Sequence, residues 1–361
     1  MPASPTHSDL PVGVIGAGAL GYHHIRILRE VPGAALVGFH EADGARAAAV
    51  SADLGVKAFA SLDALLDEVE AVSVVVPTPA HYAVAAPALE RGVHVLIEKP
   101  IATTLDEADG LLAIARRTGA VVQTGHVERF NRAVRAALPF VDEPRFIESD
   151  RLAPFNARGS DVAVVLDLMI HDIDLVRTFV GGRVTSVAAV GVPVLTPFVD
   201  IANARLTFDA GAVANITASR VSRERMRKLR IFQPSGYLSL DLAAGGGEFY
   251  RLRRDEVDFA ALVRDARGGQ ALETFVERIP LEAAEGEPLR LELEAFVNAV
   301  AGHGPVAVTG DDGREALAVA LTIVRDIERV LRQAASGKRQ AEAGSEAGSG
   351  AGVAIQADDR A

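Results

Sequence analysis

The 361-residue chain is 49% hydrophobic and 24% charged, enough apolar material for two globular cores and too much for a fibre or an extended tail. A formal net charge of -11 disfavours nucleic acid as a partner, since such binders carry basic faces, and leaves small anionic ligands to local sites. The absence of cysteine removes disulfides, thiolate catalysis and thiolate metal sites together, and fits a reducing, cytoplasmic setting.

Met1 to Leu10 carries no basic n-region, so no signal peptide is expected. No apolar run approaches the roughly 20 residues of a membrane helix. From Val12 onward, β-branched runs at 12–15, 35–39, 71–76, 93–97 and 120–123 alternate with Ala/Leu-rich helical stretches such as 22–30. Strands spaced by helices of this length predict right-handed βαβ units, hence a doubly wound parallel sheet over 1–125. After Gly125 a helical stretch at 165–179 precedes strand-like runs at 184–192, 201–208, 213–219, 229–232 and 237–242. These predict an α+β domain over 126–333 with a large, mostly antiparallel open sheet. Helical periodicity returns at 289–300 and 313–331. Gly, Ala, Ser and charge dominate 334–361, which reads as a disordered tail.

Gly16-Ala17-Gly18-Ala19-Leu20-Gly21 follows a strand and opens a helix, the context that a dinucleotide fingerprint requires. Gly16 permits the turn, Gly18 lets backbone approach a pyrophosphate and Gly21 allows close helix packing. Glu41 ends the second strand, about 20 residues beyond Gly21, where a carboxylate would bind a ribose 2′-hydroxyl and repel a 2′-phosphate. NAD is therefore favoured over NADP, with Asp43 and Arg46 close enough to blur the choice. A structural glycine turn beside a surface glutamate is the competing reading.

Pro77-Thr78-Pro79-Ala80-His81 forms a loop at the carboxyl edge of the sheet, where ligands of open α/β folds bind. His81 is either a cofactor neighbour or a helix cap. Glu98-Lys99-Pro100 ends a later strand on the same edge. A lysine held at the end of a buried strand is unfavourable without a partner, so Lys99 is a catalytic candidate beside the plainer reading of a lysine reaching water. Asp167 and His171 are spaced i, i+4, which on an α-helix puts carboxylate and imidazole on one face. That pair can fix a tautomer and raise the basicity of a proton acceptor. Metal binding by the Asp/His cluster and a bland cap or salt bridge are the alternatives, and no second histidine lies at ligand spacing, so no metal is expected.

Together the glycine motif, Glu98-Lys99-Pro100 and Asp167 to His171 resemble, in order and spacing, the Gfo/Idh/MocA family of glucose-fructose and inositol dehydrogenase-like oxidoreductases, from Val12 to about residue 330. The resemblance implies that Lys99 orients or polarises the reacting hydroxyl, that His171 is the acid/base, and that Asp167 binds substrate or positions the histidine. Residues 289–331, with Thr309-Gly310-Asp311-Asp312-Gly313, look like the family's C-terminal helices and their connecting loop. Met169 stands where many members have glycine, a change expected to reshape the sugar pocket. The family also implies a homodimer or homotetramer.

Gly125-His126-Val127-Glu128-Arg129-Phe130-Asn131 followed by the Asp167–Asp174 segment resembles a subgroup that includes UDP-N-acetylglucosamine 3-dehydrogenases and virulence-factor-like proteins. This implies NAD-dependent oxidation of a sugar C3 hydroxyl to a ketone. Glu128, Arg129 and Asn131 would bind sugar hydroxyls or nicotinamide, or form a structural cap. A diphosphate would need cations, for which Arg151, Arg158, Arg220, Arg223, Arg225, Arg227 and Lys228 are candidates; a solvated face is the alternative for the 220–228 run. With His171 as base, activity is expected to fall on the acid side near the ordinary histidine value of about 6.5, shifted oppositely by Asp167 and Lys99. Two other functions remain open: a dehydrogenase of a free polyol, inositol or aldose, and a non-catalytic NAD-binding regulatory protein.

Overall fold

In a computed structural model, which describes residues 9–156, 159, 161–253 and 276–349, the β-branched runs of the first part lie side by side. They are β1 (Leu10–Ile15), β2 (Ala34–His40), β3 (Ala58–Phe59), β4 (Ala71–Val74), β5 (His94–Glu98) and β6 (Val122–Gly125). All pairs are parallel, in the order β3-β2-β1-β4-β5-β6. The crossovers carry α1 (Ala19–Leu28), α2 (Gly44–Leu54), α3 (Leu62–Leu66), α4 (His81–Glu90) and α5 (Leu105–Thr118). α5 shows how locally the sequence sets these helices. Thr104 and Glu107 form a reciprocal capping box at its start, and Gly119, at a φ of 77°, ends it in the left-handed conformation that a side chain disfavours. Strand order reverses between β1 and β4, and the carboxyl ends flanking that reversal hold the glycine turn and the Pro77 loop.

The second part adds α6 (Arg132–Ala137), β7 (Phe146–Leu152), α7 (Ile170–Val180) and strands β8 (Val184–Val192), β9 (Ile201–Phe208), β10 (Val213–Ser219), β11 (Met226–Gln233), β12 (Gly236–Asp241), β13 (Gly246–Leu252) and β14 (Val276–Leu281). They form one sheet in the order β14-β13-β12-β11-β7-β10-β9-β8. Only β7 and β10 run parallel; the other pairs are antiparallel. α7 covers one face, where Ile170, Ile173 and Phe179 pack with Ile147, Leu206, Ile216 and Ile231. The parallel doubly wound sheet and the mostly antiparallel sheet expected from the sequence are both present. β7 is the central strand that the sequence hides. Its inward positions are Ile147, Ser149 and Arg151, so two of three buried side chains are polar and the apolar alternation is lost.

The chain then returns to the first half. α8 (Pro288–Val300) buries Leu293, Phe296 and Val297 in the core formed by Val12, Ile25 and Phe39. Thr309 bridges to Gln123 beside β6, and the Thr124 amide donates to the Val308 carbonyl. α9 (Gly310–Ser349) begins under β6 and then packs Ile323 and Ile327 into the second core. It runs to Ser349, past Ala334 where the sequence reading begins a disordered tail. Alanine-rich composition that lacks apolar surface for a core still has high helix propensity. Among the described residues no helix is long and apolar enough to cross a membrane.

Candidate active site

The glycine turn is built by close approach. Gly16 has a φ of +95°, and a Cβ there would stand 2.7 Å from the Val75 carbonyl oxygen; a Cβ on Gly21 would stand 2.1 Å from that of Gly16. Neither position admits a side chain. A Cβ on Gly18 would meet nothing within 4 Å, so that backbone faces open space at the start of α1, beside Ala19 and Leu20. Exposed amides at a helix N-terminus form a cradle for a pyrophosphate, and the residues present therefore fit a dinucleotide. Glu41 accepts from the Ala17 amide at 2.7 Å and from the Asp43 amide at 3.1 Å, which fixes its carboxylate at the rim of the cradle. Asp43 caps α2, and Arg46 Nε donates to the Ala17 carbonyl at 2.7 Å.

Pro77, Thr78 and Pro79 make a short turn on the same edge, with both prolines exposed. His81 lies beneath it. Its Nε2 sits 3.0 Å from the Val76 carbonyl and its Nδ1 2.9 Å from the Pro100 carbonyl, with the ring buried. Both ring nitrogens lie against main-chain carbonyls, so the side chain of His81 braces two loops, while its amide caps the short 78–80 helix through the Thr78 carbonyl. Burial lowers its proton affinity, while the two carbonyls and Glu98 oppose that shift.

Lys99 projects from the end of β5 towards the second half. Its Nζ donates to the Asp167 main-chain oxygen at 2.5 Å and lies 3.6 Å from Asp167 Oδ1. Burial lowers the lysine below its ordinary value, and Asp167 and Glu98 partly offset this. Asp167 belongs to a π-helical turn, Val165–Met169, that leads into α7. The carboxylate of Asp167 lies towards Lys99, and the expected pairing with His171 is not made. No hydrogen bond joins Asp167 and His171 among the described residues, and His171 Nδ1 is buried without a partner among them. His171 is pushed well below 6.5, first by burial and then by Lys99, Arg151, His126 and Arg227. Lys99 from one half and His171 from the other thus face each other closely enough to interact.

Four of the expected substrate contacts, Glu128, Arg129, Asn131 and Arg151, pair with one another or with neighbouring elements of the fold. Arg151, 3% exposed, places Nε 2.6 Å from Asp172 Oδ2 and Nη1 2.8 Å from Glu128 Oε1. Arg129 forks onto Asp174 at 2.6 and 2.8 Å and reaches Asp312 at 3.5 Å. Asn131 caps α6 through the Ala133 amide and donates to the Leu242 carbonyl and Glu128. For Glu128, Arg129 and Asn131 these contacts favour the structural alternative over binding sugar or nicotinamide, and Arg151 is paired within the fold where a diphosphate contact was expected. Arg220 is likewise internal, binding the carbonyls of Gly159, Val162 and Val199 beside Asp200. Arg223 and Arg225 are exposed in the loop before β11, and Arg158 lies outside the described residues. Met169 is fully buried in the second core, so it does not shape a sugar pocket. Sequence reasoning gave no role to His126, whose ring is perpendicular to that of His171 with centroids 6.4 Å apart, or to Glu292. A histidine two residues before Glu128 carried no spacing signal of its own.

Residues 10–126 match the oxidoreductase family with an NAD-binding Rossmann fold described as GFO_IDH_MocA, and residues 141–239 match the corresponding C-terminal domain. The chain is 39% identical over 322 residues, 89% of its own length and 98% of the relative's, to a UDP-N-acetylglucosamine 3-dehydrogenase of Acidithiobacillus ferrooxidans. A solved structure of that dehydrogenase superposes with a TM-score of 0.80 at 38% identity, covering 89% of this chain and 98% of the other. A scyllo-inositol 2-dehydrogenase (NAD(+)) of Bacillus subtilis is 30% identical over 58% of this chain and 67% of its own. With the glycine cradle, the lysine at the end of β5 and the histidine of α7 in place, the chain belongs to the Gfo/Idh/MocA family of oxidoreductases.

Proposed function

We propose that the protein is an NAD-dependent dehydrogenase that oxidises the C3 hydroxyl of a UDP-N-acetylhexosamine, UDP-N-acetylglucosamine foremost, to a 3-keto sugar. The observation that carries this reading is that Lys99, from the end of β5, reaches the Asp167 main-chain oxygen in the turn that leads into α7, and that His171 of α7 is among the groups on which Lys99 acts. A nicotinamide dinucleotide in the cradle supplies the hydride acceptor. His171, uncharged at pH 7, takes the hydroxyl proton, and Lys99 donates a hydrogen bond to the oxygen as negative charge develops on it. Asp167 holds the ammonium in place from its main-chain oxygen. Glu41 supports NAD over NADP, because its fixed carboxylate repels a 2′-phosphate. The Acidithiobacillus relative, matched over nearly its whole length, supports the sugar.

Exposed Arg223, Arg225 and Lys228 remain to meet a diphosphate, and half-buried Arg227 pairs with Glu128 at 3.3 Å. Since Arg151 and Arg220 are engaged internally, a free inositol or aldose is the second reading, and the Bacillus relative favours it. A panel of UDP-sugars, inositols and aldoses assayed for NADH formation decides. Turnover of UDP-N-acetylglucosamine that falls in Arg223→Ala/Arg225→Ala supports the nucleotide sugar. Turnover of free polyols alone removes it, and no NAD reduction with any sugar removes the enzyme reading.

A further inference from the structure

Next to His171, where the His126 ring stands perpendicular at 6.4 Å between centroids, lies a set of polar atoms that the mechanism above does not use. His126 is 1% exposed, and neither of its ring nitrogens has a hydrogen-bond partner among the described residues. The same holds for both carboxyl oxygens of Glu292, for Gln123 Oε1 and for His171 Nδ1. Gln123 Nε2 is tied to the Glu292 main-chain oxygen at 3.1 Å, which joins β6 to α8. His24 places Nε2 3.2 Å from Glu98 Oε1 and Nδ1 2.8 Å from Ser73 Oγ. Buried polar groups are ordinarily satisfied, so several gathered side by side are suited to ordered water and mobile protons.

The charges around this cluster have a direction. The strongest neighbours acting on His171 are Lys99, Arg151, His126 and Arg227, none of them anionic. An imidazolium formed there is surrounded by positive groups. His126 feels Asp174 and Glu98 as well as Arg129 and Lys99, and Glu292 is acted on by the same two carboxylates. Asp174 and Glu98, the carboxylates that act on both His126 and Glu292, are not among the strongest neighbours of His171. We propose that His126 and Glu292, with water between them, receive the proton that His171 takes from the substrate hydroxyl and carry it out of the site. This rests on the dehydrogenase reading. In the step, the carbinol O–H and C–H bonds break, the hydride leaves with its electron pair to the nicotinamide, and the proton passes to His171. His171 then releases a proton from Nδ1 towards His126. Glu292, kept protonated by burial and by Glu98 and Asp174, accepts on one oxygen as it releases from the other. His126 acts through His171, as the next group to hold the proton.

The test compares His126→Phe, His126→Asn and Glu292→Gln with the full-length wild type. Folded variants should bind NAD as the wild type does and keep KM for the sugar within about threefold. Their kcat should fall about tenfold or more for His126, and the solvent deuterium isotope effect on kcat should rise. Added imidazole should restore part of the kcat of His126→Asn. Independently of activity, the infrared spectrum of the cofactor-free protein at neutral pH should contain a protonated-carboxyl band that Glu292→Gln removes. Unchanged kcat and isotope effect in a folded variant, or no such band, overturns the proposal. If one variant does not fold, the others and the band decide. A wild type that oxidises no sugar while showing the band counts against the dehydrogenase reading and not against the buried acid.

Discussion

His171 loses affinity for a proton first through burial and then through four neighbours that are cationic or become so. The acid limb of kcat/KM should therefore lie below about 6.5, lower than the sequence alone suggests. Replacing Arg227 with Ala removes one cation and should move that limb upward, which a pH profile of the two proteins measures. His171→Ala should lower kcat by about 10²–10⁴-fold, and Lys99→Ala by about 10²–10³-fold. Both variants should still bind NAD, because neither residue builds the glycine cradle. Burial also depresses His81 and His126. In the unfolded chain these three histidines take up protons at higher pH than they do in the fold. Stability is therefore fully present above about 6.5 and declines as pH falls below it, readable as a falling urea midpoint between neutral pH and the lower folded values.

At the level of elements, the π turn and β7 decide what the site contains. β7 and α7 are held together by Arg151 with Asp172 and Glu128, a pairing closed to solvent on every side. Arg151→Ala should destabilise the protein by about 3–5 kcal/mol, because Asp172 loses the cation it pairs with and Glu128 loses its shorter arginine contact. Arg223→Ala, on an exposed loop, should leave the urea midpoint within about 0.5 kcal/mol of wild type. The contrast separates structural from substrate-facing arginines. The glycine turn, Glu41, Lys99 and His171 were legible in the sequence because each is a short motif whose neighbours in the chain are its neighbours in space. The support beneath them was not. Glu128, Arg129, Asn131 and Arg151 have the residue types of a sugar site, and only long-range pairing shows them turned inward. The i, i+4 argument at Asp167 missed its partner, since Lys99 is 68 residues away in the chain and its contact with Asp167 is made across the two halves.

For the whole molecule, the return of α8 means that the nucleotide-binding half is not completed by residues 1–125. Phe296, fully buried against Val12, Ile25 and Phe39, belongs to that core although it is distant in sequence. Phe296→Ala should cost about 3–5 kcal/mol and lower the apparent affinity for NAD. Residues 1–125 expressed alone should lack a cooperative urea transition, whereas residues 1–349 should show one.

The Thr309 bridge and the passage of α9 from beneath β6 into the second core tie the two halves at more than one point. A joint crossed by a single strand swings freely; one stitched by several segments behaves as a rigid corner. Admission of a bulky sugar then falls to side chains and short loops at the mouth of the cleft. Small-angle scattering should give the same radius of gyration with and without the nucleotide and sugar, while hydrogen exchange slows only around that opening.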